Sequence, residues 1–249
     1  MIEDRLLVTR FSPHAEELVD QFNNHNIFAI AQPLLTVEPS YNPVLLQKFL
    51  DHEYDYVIAV SGNAVTHTQK QINQRWPSAT YFAVGDSTKK LLSHVTKQLV
   101  ISPSSHFDSE GLLKLDLLQE VKGKKVLILR GEGGRDFLAE SLTQRGATVT
   151  YFQTYKRVNI TLNGLKLVNN WQQALINGAI ISSVEILNQL FTLVPNEHKC
   201  WLTNLTFYVP SQRIADRALQ LGIEKIELLP SLRLENIVEF FKRKNGDKK

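Results

Sequence analysis

Six places along the chain carry residue types suited to holding an anion. They are Thr9-Arg10, Ser61-Gly62-Asn63, Gly85-Asp86-Ser87-Thr88, Arg130-Gly131-Glu132-Gly133-Gly134-Arg135, Ser182-Ser183 and Ser211-Gln212-Arg213. Hydroxyls, arginines and the backbone N–H groups of glycine-rich helix starts all donate hydrogen bonds to anionic oxygens. Taken singly, each Ser, Thr or Asn also reads as a helix N-cap. Caps do not account for Arg10, Arg130 and Arg213, and the set as a whole points to a ligand with several negative charges. The glycine-rich stretch is not a nucleotide-hydrolase phosphate loop, because no Gly-Lys-Ser/Thr follows it. Nor is it a dinucleotide fingerprint, since position 136 is Asp where G-x-G-x-x-G needs glycine.

Proton chemistry has one candidate. Tyr155 lies in Tyr155-Lys156-Arg157, within a long extended run. A phenol there can donate a proton or orient a leaving hydroxyl, and it reads equally as a packed aromatic. Glu132, Asp86 and Asp108 are isolated acids with structural or solvated roles. The seven histidines are scattered, without metal-ligand spacing or a recognisable triad. Cys200 is the only cysteine, so no intramolecular disulfide forms, and it reads as structural.

These residues sit where strands give way to helices. Leu6–Arg10 reads as a first strand, followed by a helix capped by Ser12 with Pro13 in its first turn. Its apolar face is Ala15, Leu18, Val19 and Phe22. Strands follow at 27–31, 55–61, 81–85, 99–101, 126–129, 147–158, 179–181, 205–209 and 225–229. Helices are expected after Asn63, through Leu91-Leu92, over Leu112–Leu118, over 137–145, around Leu165–Leu175, around Ile186–Leu190, after Arg213 and over Leu234–Phe241. The run Val126–Leu129 is wholly apolar, as suits a strand buried on both faces. The glycine-rich turn after it should present backbone N–H groups at a helix N-terminus, with Arg130 and Arg135 beside them. Strands alternating with helices through short turns argue for an α/β fold of parallel sheets flanked by helices. Two extended crossings, near 33–39 and 151–160, bound the middle block. The expected organisation is a discontinuous domain, 1–35 and 158–249, with an inserted domain, 36–157. Ligands of such folds sit at the C-terminal ends of the strands, and the cleft between two domains is the default site.

Composition narrows the class. A hydrophobic fraction of 43% and a net charge of +3 suit an ordinary globular enzyme or binding protein. The basic tail, Lys242-Arg243-Lys244 and Lys248-Lys249, reads as a solvated end and not as a nucleic-acid surface. No apolar run approaches the ~20 residues of a membrane span. Met1–Arg5 lacks the basic-then-apolar pattern of a secretory signal, so a cytoplasmic protein is expected.

The order of these motifs resembles the uroporphyrinogen-III synthase family. Leu7-Val8-Thr9-Arg10 is similar to its opening strand, Val60–Val65 to its Ser-x-Asn-Ala-Val turn and Ala83–Thr88 to its Val-Gly-x-x-Thr turn. Val126–Leu138 is similar to its Leu-x-Arg-Gly-x-Gly-Gly-Arg segment. Tyr155 and Arg157 fit its Tyr-x-Arg crossing, and Ser182-Ser183 its later serine turn. The resemblance implies two α/β domains with a two-stranded connection and a cleft between them. It implies closure of hydroxymethylbilane, a linear tetrapyrrole bearing acetates and propionates, to uroporphyrinogen III, with inversion of the last ring and loss of water. It implies no metal or cofactor. No nucleic-acid or membrane partner is expected from the charge and hydropathy pattern, and a monomer is expected. Tyr155 matches the residue assisting loss of the hydroxyl. The expected substrate contacts are Arg10, Ser61, Asn63, Gly85, Thr88, Arg130, Gly131, Gly133, Ser182, Ser183, Ser211 and Arg213. The chain departs from the family pattern at Lys89, Pro210–Arg213 and Ser231–Arg233. The rival reading is a non-catalytic two-domain protein that binds an anion and regulates; it would share the architecture and the anion turns but have no need of Tyr155.

Overall fold

Leu6, Leu7 and Val8 have no accessible surface, and the strand they form is flanked on both sides. In the computed structural model, which describes residues 3–40, 44, 46–47, 51–72, 76–133 and 136–246, the chain divides into two compact units. One is Met1–Thr36 with Val158–Lys249, the other Val37–Arg157.

The first unit is built on five strands: β1 (Arg5–Val8), β2 (Phe28–Ala31), β9 (Gly178–Ile180), β10 (Thr206–Val209) and β11 (Ile226–Leu228). They form one sheet of order β11-β10-β9-β1-β2. All four pairings are parallel. One core face gathers Leu7, Val168, Trp171, Leu187 and Phe207. The other gathers Leu6, Leu18, Phe22, Tyr208 and Phe241. Helices thus cover both faces, as a parallel sheet requires.

The second unit holds the strands β3 (Leu35–Pro39), β4 (Tyr56–Ala59), β5 (Thr80–Ala83), β6 (Val100–Ile101), β7 (Lys125–Gly131) and β8 (Thr148–Asn159). Their sheet has the order β3-β8-β7-β4-β5-β6. The pairings of β8, β7, β4, β5 and β6 are parallel. Along β7, Leu127 and Leu129 enter one core and Val126 and Ile128 the other, as its unbroken apolar run predicts. The two crossing segments, β3 and β8, are neighbours in this sheet.

Four local expectations are corrected. Ser12 does not cap the first helix, His14–Asn23: Pro13 holds the cap position, and the Ser12 hydroxyl donates to the Glu16 carboxylate at 2.9 Å. The helix expected over Leu112–Leu118 is two single turns, Ser109–Leu112 and Asp116–Gln119. Leu115 between them is extended, and the Arg145 guanidinium holds the Leu113 and Leu118 carbonyls at 2.9 and 2.6 Å. The last helix runs on from Leu234 to Gly246, because Lys244 has partners in the sheet: the Tyr208 hydroxyl at 2.6 Å and the Glu227 carboxylate. A helix not expected at all, Lys199–Asn204, is seated by buried Leu202 and by Trp201 stacked on Trp171 at 6.3 Å.

Candidate active site

Parallel strands ~4.8 Å apart bring their C-terminal ends into one row. In the first unit the neighbours β1, β9 and β10 end in Thr9-Arg10, Ser182-Ser183 and Ser211. Thr9 is fully buried and gives its hydroxyl to the Ile180 carbonyl at 2.8 Å, so it ties β1 to β9. Arg10 beyond it is half-buried. Burial lowers its pKa, and Glu17 opposes that shift. Ser183 caps the helix Val184–Leu193, accepting the Ile186 N–H at 3.1 Å. Ser211 holds the corresponding position before Gln212–Gln220 with no side-chain bond to that helix. Arg213 is exposed in its first turn.

In the second unit the ends of β4 and β7, with the middle of β8, border a cavity of about 520 Å³. Ser61 caps the helix Gly62–Gln69, accepting the Ala64 N–H at 3.1 Å, and its oxygen also lies 3.1 Å from the Tyr155 hydroxyl. Tyr155 is only 5% exposed. One face of its ring stacks on His67, with centroids 5.7 Å apart and an interplanar angle of 27°. The ring also packs directly on Gly131, where a Cβ would stand 2.6 Å from the Tyr155 Cζ. His67 is buried, and burial, with a smaller effect of Lys70, lowers its pKa, so that its imidazole is neutral at neutral pH.

The register of β8 explains how Tyr155 reaches this place. Arg130 pairs with Gln153, but Gly131 pairs with Tyr155, so Thr154 is an extra residue in a β-bulge. A bulge reverses the alternation of side chains beyond it. Tyr151 packs with the Val126–Ile128 core, whereas Phe152 and Tyr155 share the Leu127–Leu129 core. The Thr154 hydroxyl, buried, donates to the Arg130 carbonyl at 3.3 Å, and the Glu132 N–H donates to the Tyr155 carbonyl at 2.7 Å.

Arg130 is 6% exposed and is held by its own turn. Its guanidinium donates to Asp136 at 2.8 Å, to the Gly133 carbonyl and to the Gly131 carbonyl at 3.3 Å, and it stands 4.5 Å over the Tyr151 ring. Arg157, on the same strand as Tyr155, is exposed and lines the cavity. Asp108, Glu110 and Glu132 complete its wall. Asp108 caps the turn Ser109–Leu112 through the Gly111 N–H at 2.8 Å. Among the described residues, no group of three or more His, Cys, Asp or Glu side chains is arranged to hold a metal ion.

A family model described as "Uroporphyrinogen-III synthase HemD" matches residues 16–238 of this chain. The chain belongs to the uroporphyrinogen-III synthase family. The synthase of Escherichia coli (strain K12) is 37% identical over 232 residues, covering 90% of this chain and 94% of that protein. The synthase of Salmonella typhimurium is 36% identical with the same coverage. Among solved structures, the Helicobacter pylori synthase superposes with a TM-score of 0.64 at 14% identity, covering 96% of this chain and 99% of that one. A mutant Thermus thermophilus synthase superposes with a TM-score of 0.60 at 17% identity, covering 96% and 98%. These two show that the synthase fold is shared.

Of the residues that sequence reasoning singled out in this synthase-family chain, Ser61, Arg130, Gly131, Gly133 and Tyr155 meet at the cavity. Asn63, Gly85 and Thr88 do not line it. Asn63 is exposed on the helix that Ser61 caps, Gly85 packs near Phe107, and Thr88 is buried in the first turn of Asp86–Thr96. Gly134 and Arg135 lie outside the described residues. The expected backbone anion site at the glycine-rich turn is altered by Arg130, whose guanidinium caps the Gly133 and Gly131 carbonyls. His67 and Tyr151 were missed: a lone histidine on the buried side of a helix, beside Ala64, Val65 and Thr68, carries no signal of its neighbour across the sheet.

Proposed function

We propose that this chain closes hydroxymethylbilane to uroporphyrinogen III, inverting the last ring and releasing water, and that Tyr155 supplies the proton. The observation that carries the reading is the Tyr155 hydroxyl, held on Ser61 at the wall of a cavity in a chain of this family. A serine hydroxyl has one hydrogen and two acceptor sites. Ser61 spends one acceptor on the Ala64 N–H; when it donates to Tyr155, the phenolic O–H is left for the substrate's hydroxymethyl oxygen. The C–O bond breaks, the hydroxyl leaves as water with the phenolic proton, the pyrrole is left as an azafulvenium cation and Tyr155 as a phenolate, and the phenolate regains its proton from the carbon that gives one up when the ring closes. A ring bearing partial positive charge as water departs is favoured by the carboxylates of Glu110 and Glu132, which would repel the substrate's own acid groups. Those acid groups are assigned to the strand-end donors, Arg10, Ser182, Ser183, Ser211 and Arg213 on one sheet and Asn63, Gly85 and Thr88 on the other. Favouring one folded geometry over the alternative is the larger part of catalysis, since the free bilane also closes without inversion. The proposal includes action as a cytoplasmic monomer on a small-molecule substrate. No helix among the described residues is long and apolar enough to cross a membrane.

The test is incubation with freshly prepared hydroxymethylbilane, oxidation, and separation of the porphyrin isomers. The type III isomer should dominate. Type I alone, formed at the uncatalysed rate, refutes the reading.

A further inference from the structure

We propose that Gly131, the Thr154 bulge and Ser61 form a three-point seat that positions the Tyr155 hydroxyl, with Gly131 acting by having no side chain. The inference rests on Tyr155 being the proton donor. Without the extra residue Thr154, strict alternation from Tyr151 would carry Tyr155 onto the face of Tyr151 and away from Ser61. The bulge turns the ring onto β7 at Gly131, and there the fit is closer than any side chain allows. A Cβ would lie 2.6 Å from Cζ, 2.7 Å from Cε2 and 3.0 Å from the hydroxyl oxygen. His67 stacks on the ring with centroids 5.7 Å apart, which limits how far the ring can move aside. Ser61 then fixes the last degree of freedom, the direction of the phenolic hydrogen. Gly131 therefore has a role apart from donating its backbone to an anion. It is a positioning residue, and the glycine is required by close approach.

Adding one methyl group at Gly131 forces Cζ back by about 0.8 Å, from 2.6 Å to the 3.4 Å where ordinary contact begins. The hydroxyl lies 3.1 Å from Ser61 Oγ, so a shift of that size away from Ser61 takes it out of hydrogen-bond range. Misplacement by ~1 Å costs up to about 10²-fold in rate. The experiment is a double-mutant cycle on turnover of hydroxymethylbilane with Gly131→Ala, Tyr155→Phe and both together. Gly131→Ala should lower kcat at least about tenfold with KM within about twofold, and it should slow the Tyr155→Phe protein no further, because no hydroxyl remains to be misplaced. A wild-type kcat in Gly131→Ala, or a full additive loss in the double variant, overturns the seat. Full turnover in Tyr155→Phe alone overturns instead the reading it rests on, so the two failures are distinct. If Gly131→Ala does not fold, the cycle is run with Ser61→Gly, which caps a helix within a few tenths of a kcal/mol of serine. Its kcat should fall about tenfold, and Ser61→Thr should restore it. Unchanged kcat in Ser61→Gly then overturns the proposal.

Discussion

Replacing Arg130 by methionine separates two roles that an arginine at a strand end can have. Methionine keeps much of the stem volume and removes the guanidinium. The structure has that group making a charge-assisted bond to Asp136, a second to the Gly133 carbonyl, a longer one to Gly131 and a cation–π contact with Tyr151. Asp136 is 61% exposed at its side chain and regains water when the arginine is gone, so that pair contributes no more than about 1 kcal/mol. The bond to the Gly133 carbonyl is of the charged kind, ~1.5–3 kcal/mol, and the ring contact adds ~0.5–1 kcal/mol. The buried guanidinium has itself lost hydration, which offsets part of the total. The expected net loss is about 2–3 kcal/mol. In a chain of this size each kcal/mol moves Tm by ~2–4 °C, so thermal unfolding followed by circular dichroism should show a fall of about 5–10 °C. Arg130→Lys should lose nearly as much, because an ammonium cannot span acceptors set out for a planar fork. A ligand arginine would behave otherwise. Its loss would leave Tm alone and raise KM roughly tenfold to a hundredfold, since ~1.4 kcal/mol is a factor of ten. That second pattern would refute the assignment of Arg130 to the turn.

Tyr155→Phe keeps the stack on His67 and the packing on Gly131, so Tm should change little while kcat falls by about 10²-fold, the scale of general acid catalysis; an unchanged kcat in steady-state turnover would leave the residue as packing. Burial lowers the pKa of His67 in the folded protein below the ordinary 6.5. The unfolded chain therefore takes up a proton first as pH falls, and the neutral imidazole's contribution, complete above 6.5, is lost below it. Urea midpoints between pH 7 and pH 5 should decline less in His67→Phe than in the wild type, and equal slopes would count against a buried neutral ring. Gly111→Ala would put a Cβ 1.8 Å from the His106 carbonyl oxygen. It should break the turn that Asp108 caps and cost about 2 kcal/mol or more, read as a lower urea midpoint; an unaltered midpoint would mean that the wall of the cavity yields freely.

The alternation of strands and helices was legible because each strand is a short apolar run that ends in small polar residues, and each helix repeats at its own period. The positions of Ser61, Ser183 and Ser211 at helix starts followed from the same pattern. What the alternation could not carry was its own interruption. Val149, Tyr151 and Gln153 alternate, and nothing in Thr154-Tyr155 announces the extra residue that turns Tyr155 to the other face. Nor do residue types separate Arg130 from Arg157. Both lie near the C-terminal end of a strand, but one is closed in by a turn that folds back on it and the other is left at the cavity edge. The short helix Lys199–Asn204 escaped because six residues span fewer than two turns, too few for a repeating apolar face. Its seat is an indole stack between Trp171 and Trp201, thirty residues apart in sequence.

The central position of β1 has a consequence for how the chain is made. Its first neighbour, β2, is synthesised at once, but β9, on its other side, emerges only after the whole second unit; the bond from Thr9 to Ile180 spans 171 residues. At ~5–20 residues per second, roughly 10–30 s pass between them on the ribosome. Throughout that interval Leu6, Leu7 and Val8 form an unpaired apolar edge, and by its end Val37–Arg157 contains all of its own strands. The inserted unit can reach its fold first, and the nascent protein depends during that delay on whatever shields the edge of β1 from other chains.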